Sequence, residues 1–167
     1  MNKFLVSLFV LLAFYGYYNA QKKTTHTVKE TSTTIATLTS QAKHLQLKNE
    51  LSEIRGVRYA REYIINVINR GSSVLGFKGG VMEGGFASRD DAGKIASYVL
   101  TLSGKKPLES YPQDAQMFYT SNCGGCHGDD GKGLGGNYPD LTRETMLGIE
   151  RRRESIEMQI RRIESGR

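Results

Sequence analysis

The chain has 167 residues, 38% hydrophobic and 24% charged, with 23 Lys and Arg against 17 Asp and Glu. That length holds one ordinary domain or two very small ones, and the mixture is too apolar for a disordered chain and too polar for a multi-spanning membrane protein. Two cysteines exclude a disulfide-dense scaffold and a four-thiolate zinc site, and the net charge of +6 suits an acidic partner or surface.

In chain order, Lys3 precedes an unbroken apolar or small run from Phe4 to Phe14. This is the pattern of a secretory signal over residues 1–20 with Ala20 at the cut, or of an uncleaved anchor through residues 4–18. Both readings export the rest of the chain. Residues 21–45 are threonine-rich and poor in apolar anchors, which predicts a solvated tether. Within it a helix begins near Thr34, where Ile35, Leu38, Ala42 and Leu45 fall on one face. His26 and His44 stand in this polar stretch as solvated side chains.

Val57, Ala60, Ile64, Val67 and Ile68 are spaced for an amphipathic helix that stops at Gly71. A glycine-rich loop around Val81-Met82 follows. Ser88 to Asp91 resembles a capping box opening a helix with Ala92, Ile95, Ala96, Val99 and Leu102 on one face, ended by Gly104. A linker leads to a third helix over Asp114 to Ser121, and Thr145 to Ser165 closes the chain as a helix. No strand-like alternation of any length occurs, so the expected class is all-α. Gly56 to Ile64 matches Gly148 to Ile156 as a weak internal repeat.

Cys123-Gly124-Gly125-Cys126-His127 is a C-x-x-C-H motif, the attachment sequence of c-type haem. Two thiols three positions apart on a turn reach the two vinyl groups of one haem, and the adjacent imidazole then lies beneath the iron. Zinc would need further ligands than His26 and His44, and a thioredoxin-like pair would need a preceding strand. A simple disulfide in an oxidising compartment stays open. Gly131-Lys132-Gly133-Leu134-Gly135-Gly136 fits G-x-G-x-x-G, but Cys126 to Asp130 is not the strand a dinucleotide site requires, so nucleotide binding is rejected there.

The run Phe118 to Gly133, followed by Tyr138-Pro139-Asp140-Leu141, resembles small bacterial cytochromes c, especially soluble carriers and the cytochrome c subunits of respiratory oxidases. The resemblance implies helices packed around a covalently bound haem c, with thioethers from Cys123 and Cys126, His127 as proximal iron ligand, and a Pro139 carbonyl on the His127 ring. It implies an electron carrier and not an enzyme, periplasmic or anchored at the outer face of the cytoplasmic membrane, with redox proteins or a membrane respiratory complex as partners. Nucleic acid is not among them, because the arginines of the last helix alternate with glutamates.

The order of parts departs from the family. Residues 46–104 resemble the second half of such a domain without an attachment motif, including a loop with Met82, and residues 112–167 resemble the first half. Either this is a tandem whose first domain lacks haem and whose second breaks off, or the halves assemble as one circularly permuted domain. The repeated middle helix favours the tandem. Met82 is the best distal ligand candidate, while Met117, Met146 and Met158 read as packing residues. An open sixth position would make a gas-binding or sensor module instead, and an unattached Cys pair a structural subunit.

Overall fold

The computed structural model describes residues 15, 17, 18, 21, 22, 34–107 and 113–166. The apolar run 4–14, residues 23–33 of the expected tether and the last residues of the expected linker lie outside the described residues. Among the described residues, no helix is long and apolar enough to cross a membrane. The chain divides into two units, Met1–Gln46 and Leu47–Arg167.

In the first unit residues 34–46 are helical, starting where the periodicity places a helix. The apolar face read from that periodicity is not a buried one: Ile35, Leu38 and Leu45 are all exposed. Four apolar positions on one side of a helix show where a partner would sit, but they do not supply it.

Among the described residues of the second unit, the regular elements are helices apart from one two-residue ladder. The unit's opening residues 47–53 (α1) are the end of the helical run that starts at residue 34, and they bury Leu47, with Ile54 buried just beyond. Helix α2 (Val57–Arg70) buries Ala60, Ile64 and Ile68, four positions apart on one stripe, and Gly71 ends it at φ +79° with its N–H on the Val67 carbonyl. Gly71–Ser72 (β1) pairs antiparallel with Met82–Glu83 (β2), so that Ser72 lies opposite Met82. Two residues are too few for alternation to register in a sequence, which is why the ladder was not expected.

Helix α3 (Arg89–Leu102) begins at Ser88, whose Oγ accepts the Asp91 N–H at 3.1 Å and whose hydroxyl donates to the Asp91 carboxylate at 2.6 Å. The cap therefore closes through the side chains of Ser88 and Asp91, where a capping box would return a carboxylate to the cap's backbone N–H. Its end follows the Schellman pattern, with Gly104 at φ +72° and the Lys105 N–H returning to the Leu100 carbonyl at 2.9 Å. Helix α4 (Ala115–Asn122) packs against α3: the Tyr98 and Tyr119 rings lie 5.1 Å apart, and Lys94 Nζ sits 4.3 Å from the Phe118 ring centroid. A single turn, α5 (Gly124–His127), carries the second cysteine and the histidine. The distorted turn α6 (Gly133–Gly136) follows, with Leu134 at φ +42°. Turns precede it and no strand does, so the glycine pattern there has no dinucleotide-binding context. The unit closes with α7 (Leu147–Glu164), which buries Ile149, Ile156 and Ile160.

Both sequence halves contribute to one core. Ile64, Ile68, Ile95 and Leu100 from before residue 105 cluster with Tyr119, Met146, Ile149 and Ile156 from after it. Each fully buried aliphatic side chain of this kind contributes about 1.5–3 kcal/mol. A forked ion pair adds a cross-chain tie: Arg152 Nε and Nη2 donate to the Glu50 carboxylate at 2.7 and 2.6 Å, and the Tyr59 hydroxyl reaches the same carboxylate at 3.0 Å.

Candidate functional site

The C-x-x-C-H residues are positioned by the end of α4 and the turn α5. The His127 N–H returns to the Cys123 carbonyl at 2.9 Å, so the motif closes one helical turn and brings Cys123, Cys126 and His127 together. Gly128 then reverses the chain at φ +78°. The Tyr119 hydroxyl donates to the Gly128 carbonyl at 2.8 Å, fixing the turn to α4. Tyr119 is fully buried, and burial drives its phenol far above the ordinary value, so it stays a donor.

His127 is buried, and its Nδ1 lies 3.1 Å from the Pro139 carbonyl. A carbonyl only accepts, so Nδ1 carries the proton and Nε2 keeps its lone pair. Burial lowers the pKa of the ring, and the Pro139 bond opposes this only in part. The imidazole is therefore neutral, as a metal-ligating histidine must be. The Leu141 N–H bonds to the Gly131 carbonyl at 2.8 Å, which seats the Pro139–Leu141 segment beside the motif.

The two thiols are free and differ in environment. Cys126 is exposed; Cys123 is buried, and burial together with the charge of Cys126 pushes its pKa up to about 11. Both line a cavity of about 330 Å³ together with His127. That volume lies within the range of cofactor sites, and most of the wall is apolar, including Ile64, Ile68, Val99 and Leu141. Met82 borders the same cavity from the first half of the chain, and so does Met146, which is buried. Met117 and Met158 are exposed, away from the core. Two thiols, an imidazole with a free nitrogen and thioethers in an apolar cleft make a donor set that suits haem, whose iron takes nitrogen and thioether ligands and whose vinyl groups take thiols.

Residues 113–166 match the cytochrome c family model. That segment is a cytochrome c domain. Its cofactor is accordingly haem c, bound covalently. A Cbb3-type cytochrome c oxidase subunit CcoP of Helicobacter pylori is 36% identical over 100 residues, covering 56% of this chain and 35% of that protein. The CcoP subunit of strain 52 of the same species is 33% identical over 99 residues, covering 56% and 34%. The chain thus spans about a third of the length of these relatives. No solved structure matches it.

The site brings Met82, Cys123, Cys126, His127, Pro139 and Leu141 around one cavity. It also draws in residues that pattern reading passes over. Tyr119 reads as an apolar helix position, yet its hydroxyl holds the turn after His127. Met146, expected as packing, is packed and faces the cavity as well. Tyr138 lies with its ring centroid 6.2 Å from that of His127, and Gly79 sits against it from the other half of the chain. The tyrosine before Pro139 was a visible signal; nothing local points to Gly79.

Proposed function

We propose that this cytochrome is an electron carrier whose haem c is attached through Cys123 and Cys126, with His127 as proximal and Met82 as distal ligand. The observation that carries the reading is the shared cavity, which brings Met82 from the segment without an attachment motif to the same space as Cys123, Cys126 and His127. Bound there, haem c supplies an iron that exchanges one electron at a time. The chain's residues do the rest. The Pro139 carbonyl orients His127 and makes it a stronger donor. The apolar wall keeps water from the metal, which raises the cost of the more highly charged oxidation state. A thioether from Met82 favours the reduced metal and raises the potential.

We also propose that the two sequence halves form one haem enclosure in permuted order, supported by their common core and by the packing of α3 on α4. The basic start and apolar run at residues 3–14 support export, with the haem domain periplasmic and either released by cleavage or anchored through residues 4–18. The likeness to oxidase subunits supports a membrane respiratory oxidase as the partner.

The test uses the full chain made in a host with haem-attachment machinery. Carbon monoxide binding to the reduced protein is compared among the parent, Met82→Ala and Met146→Ala. Slow binding in the parent and in Met146→Ala, with fast binding and a lowered potential in Met82→Ala, is expected. Fast binding by the parent would replace the carrier with an open-site gas-binding module, and an effect confined to Met146→Ala would move the distal ligand to that residue.

A further inference from the structure

One short segment touches both sides of the cavity. The Asn137 carbonyl accepts the Gly79 N–H at 2.9 Å, and the Pro139 carbonyl, two residues on, bonds to His127 Nδ1 at 3.1 Å. Between them Tyr138 lays its ring against Gly79 so closely that a Cβ on residue 79 would overlap three ring atoms, Cδ1, Cε1 and Cζ. Gly79 belongs to the turn in which the Gly80 N–H bonds to the Phe77 carbonyl at 3.0 Å, and it stands three positions before Met82. Gly79, Met82, His127, Tyr138 and Pro139 all line the cavity.

We propose that Gly79 and Tyr138 form a latch that sets the His127 ring and the Met82 loop as one unit, both acting as positioning residues for the iron ligands. The inference rests on the ligand assignment above and adds a coupling between the two faces. Its physical basis is the stiffness of the connections. Pro139 is joined to Tyr138 by one peptide unit of fixed length, so displacing the ring moves the carbonyl that orients His127. The same displacement strains the Gly79 turn, three residues from Met82. Packed atoms do not compress, so an added methyl must move either the ring or the loop. The backbone of Gly79 is outside the left-handed region, so alanine there meets an obstacle of contact and not of backbone strain.

The experiment is a double-mutant cycle on the holoprotein, reading reduction potential and carbon monoxide association in the parent, Gly79→Ala, Tyr138→Ala, the double variant and Tyr138→Phe. Gly79→Ala is expected to speed carbon monoxide association about tenfold, a coupling within the range seen for residues in contact, and to shift the potential. In the Tyr138→Ala background the same change should have almost no effect, because the ring it strikes is gone. Tyr138→Phe keeps the three ring atoms and should behave as the parent. Should Gly79→Ala not accumulate, recovery of holoprotein by the double variant is the expected result, and no recovery contradicts the latch. Equal effects of Gly79→Ala in both backgrounds, or no effect in a parent that carries covalent haem, overturn the latch and leave the ligand assignment standing. A parent without covalent haem overturns the assignment itself, and the latch with it.

Discussion

Replacing Tyr119 with phenylalanine isolates one atom of the site. The ring stays in place, so the aromatic packing on Tyr98 at 5.1 Å is kept, as is the burial whose loss costs about 3–5 kcal/mol when a whole core aromatic is removed. What is lost is the 2.8 Å hydrogen bond to the Gly128 carbonyl. Tyr119 is fully buried, so water does not replace the donor, and the carbonyl keeps only the Gly131 N–H at 3.0 Å. The carbonyl is not orphaned, so the cost is that of one net hydrogen bond, about 0.5–1.5 kcal/mol, and not the larger penalty of an unsatisfied buried group. We therefore expect Tyr119→Phe to lower the stability of the holoprotein by about 1 kcal/mol, which in a unit of this size is a fall in Tm of about 4 °C. Equilibrium urea unfolding, followed by haem absorbance and by far-ultraviolet circular dichroism, measures it. A midpoint within error of the parent would show that the hydroxyl does not hold the turn after His127.

Three further outcomes follow from the same geometry. A Cβ on Gly148 would overlap the Tyr63 hydroxyl, so Gly148→Ala should destabilise by about 1–3 kcal/mol and Tyr63→Ala should relieve part of that cost, whereas strict additivity in unfolding measurements would contradict the contact. In the haem-free, reduced chain at pH 8, the buried Cys123, with a pKa of about 11, is only about one part in a thousand thiolate; iodoacetamide should mark the exposed Cys126 first, and preferential labelling of Cys123 by peptide mass spectrometry would refute the assigned environments. His127 without iron has a folded pKa below its ordinary 6.5, so the unfolded chain takes up the proton more readily. Its share of stability is complete above about pH 6.5 and is lost as the pH falls toward the folded value, a slope that urea unfolding of Cys123→Ala/Cys126→Ala should show and His127→Gln should abolish.

The parts legible in the sequence are those with local causes. The stripe Ala60, Ile64, Ile68 and the stop at Gly71 announce α2, and Ser88 with Asp91 announces the start of α3, because helix period and capping act within a few residues. Cys123, Cys126 and His127 are legible for the same reason, since one turn of chain holds the whole motif. Illegible are the features that depend on distant partners. Glu50 and Arg152 lie 102 positions apart, and nothing near either one names the other. The apolar face of Ile35, Leu38 and Leu45 is correctly helical and yet exposed, because periodicity reports a face and not its cover. Gly79 reads as one glycine among several in a loop; only its contact with Tyr138 gives it meaning. The order of the two halves was visible, but whether they share a core depends on how α3 meets α4, which local pattern does not encode.

The central claim is that this chain holds one haem c through Cys123 and Cys126 in an enclosure built by both halves. Intact mass and haem staining on a denaturing gel, applied to the full chain from a host that attaches haem, test it most directly. The account predicts a stained band whose mass exceeds the polypeptide by one haem, and no stain for Cys123→Ala/Cys126→Ala. A colourless parent with Cys123 and Cys126 joined as a disulfide would contradict it.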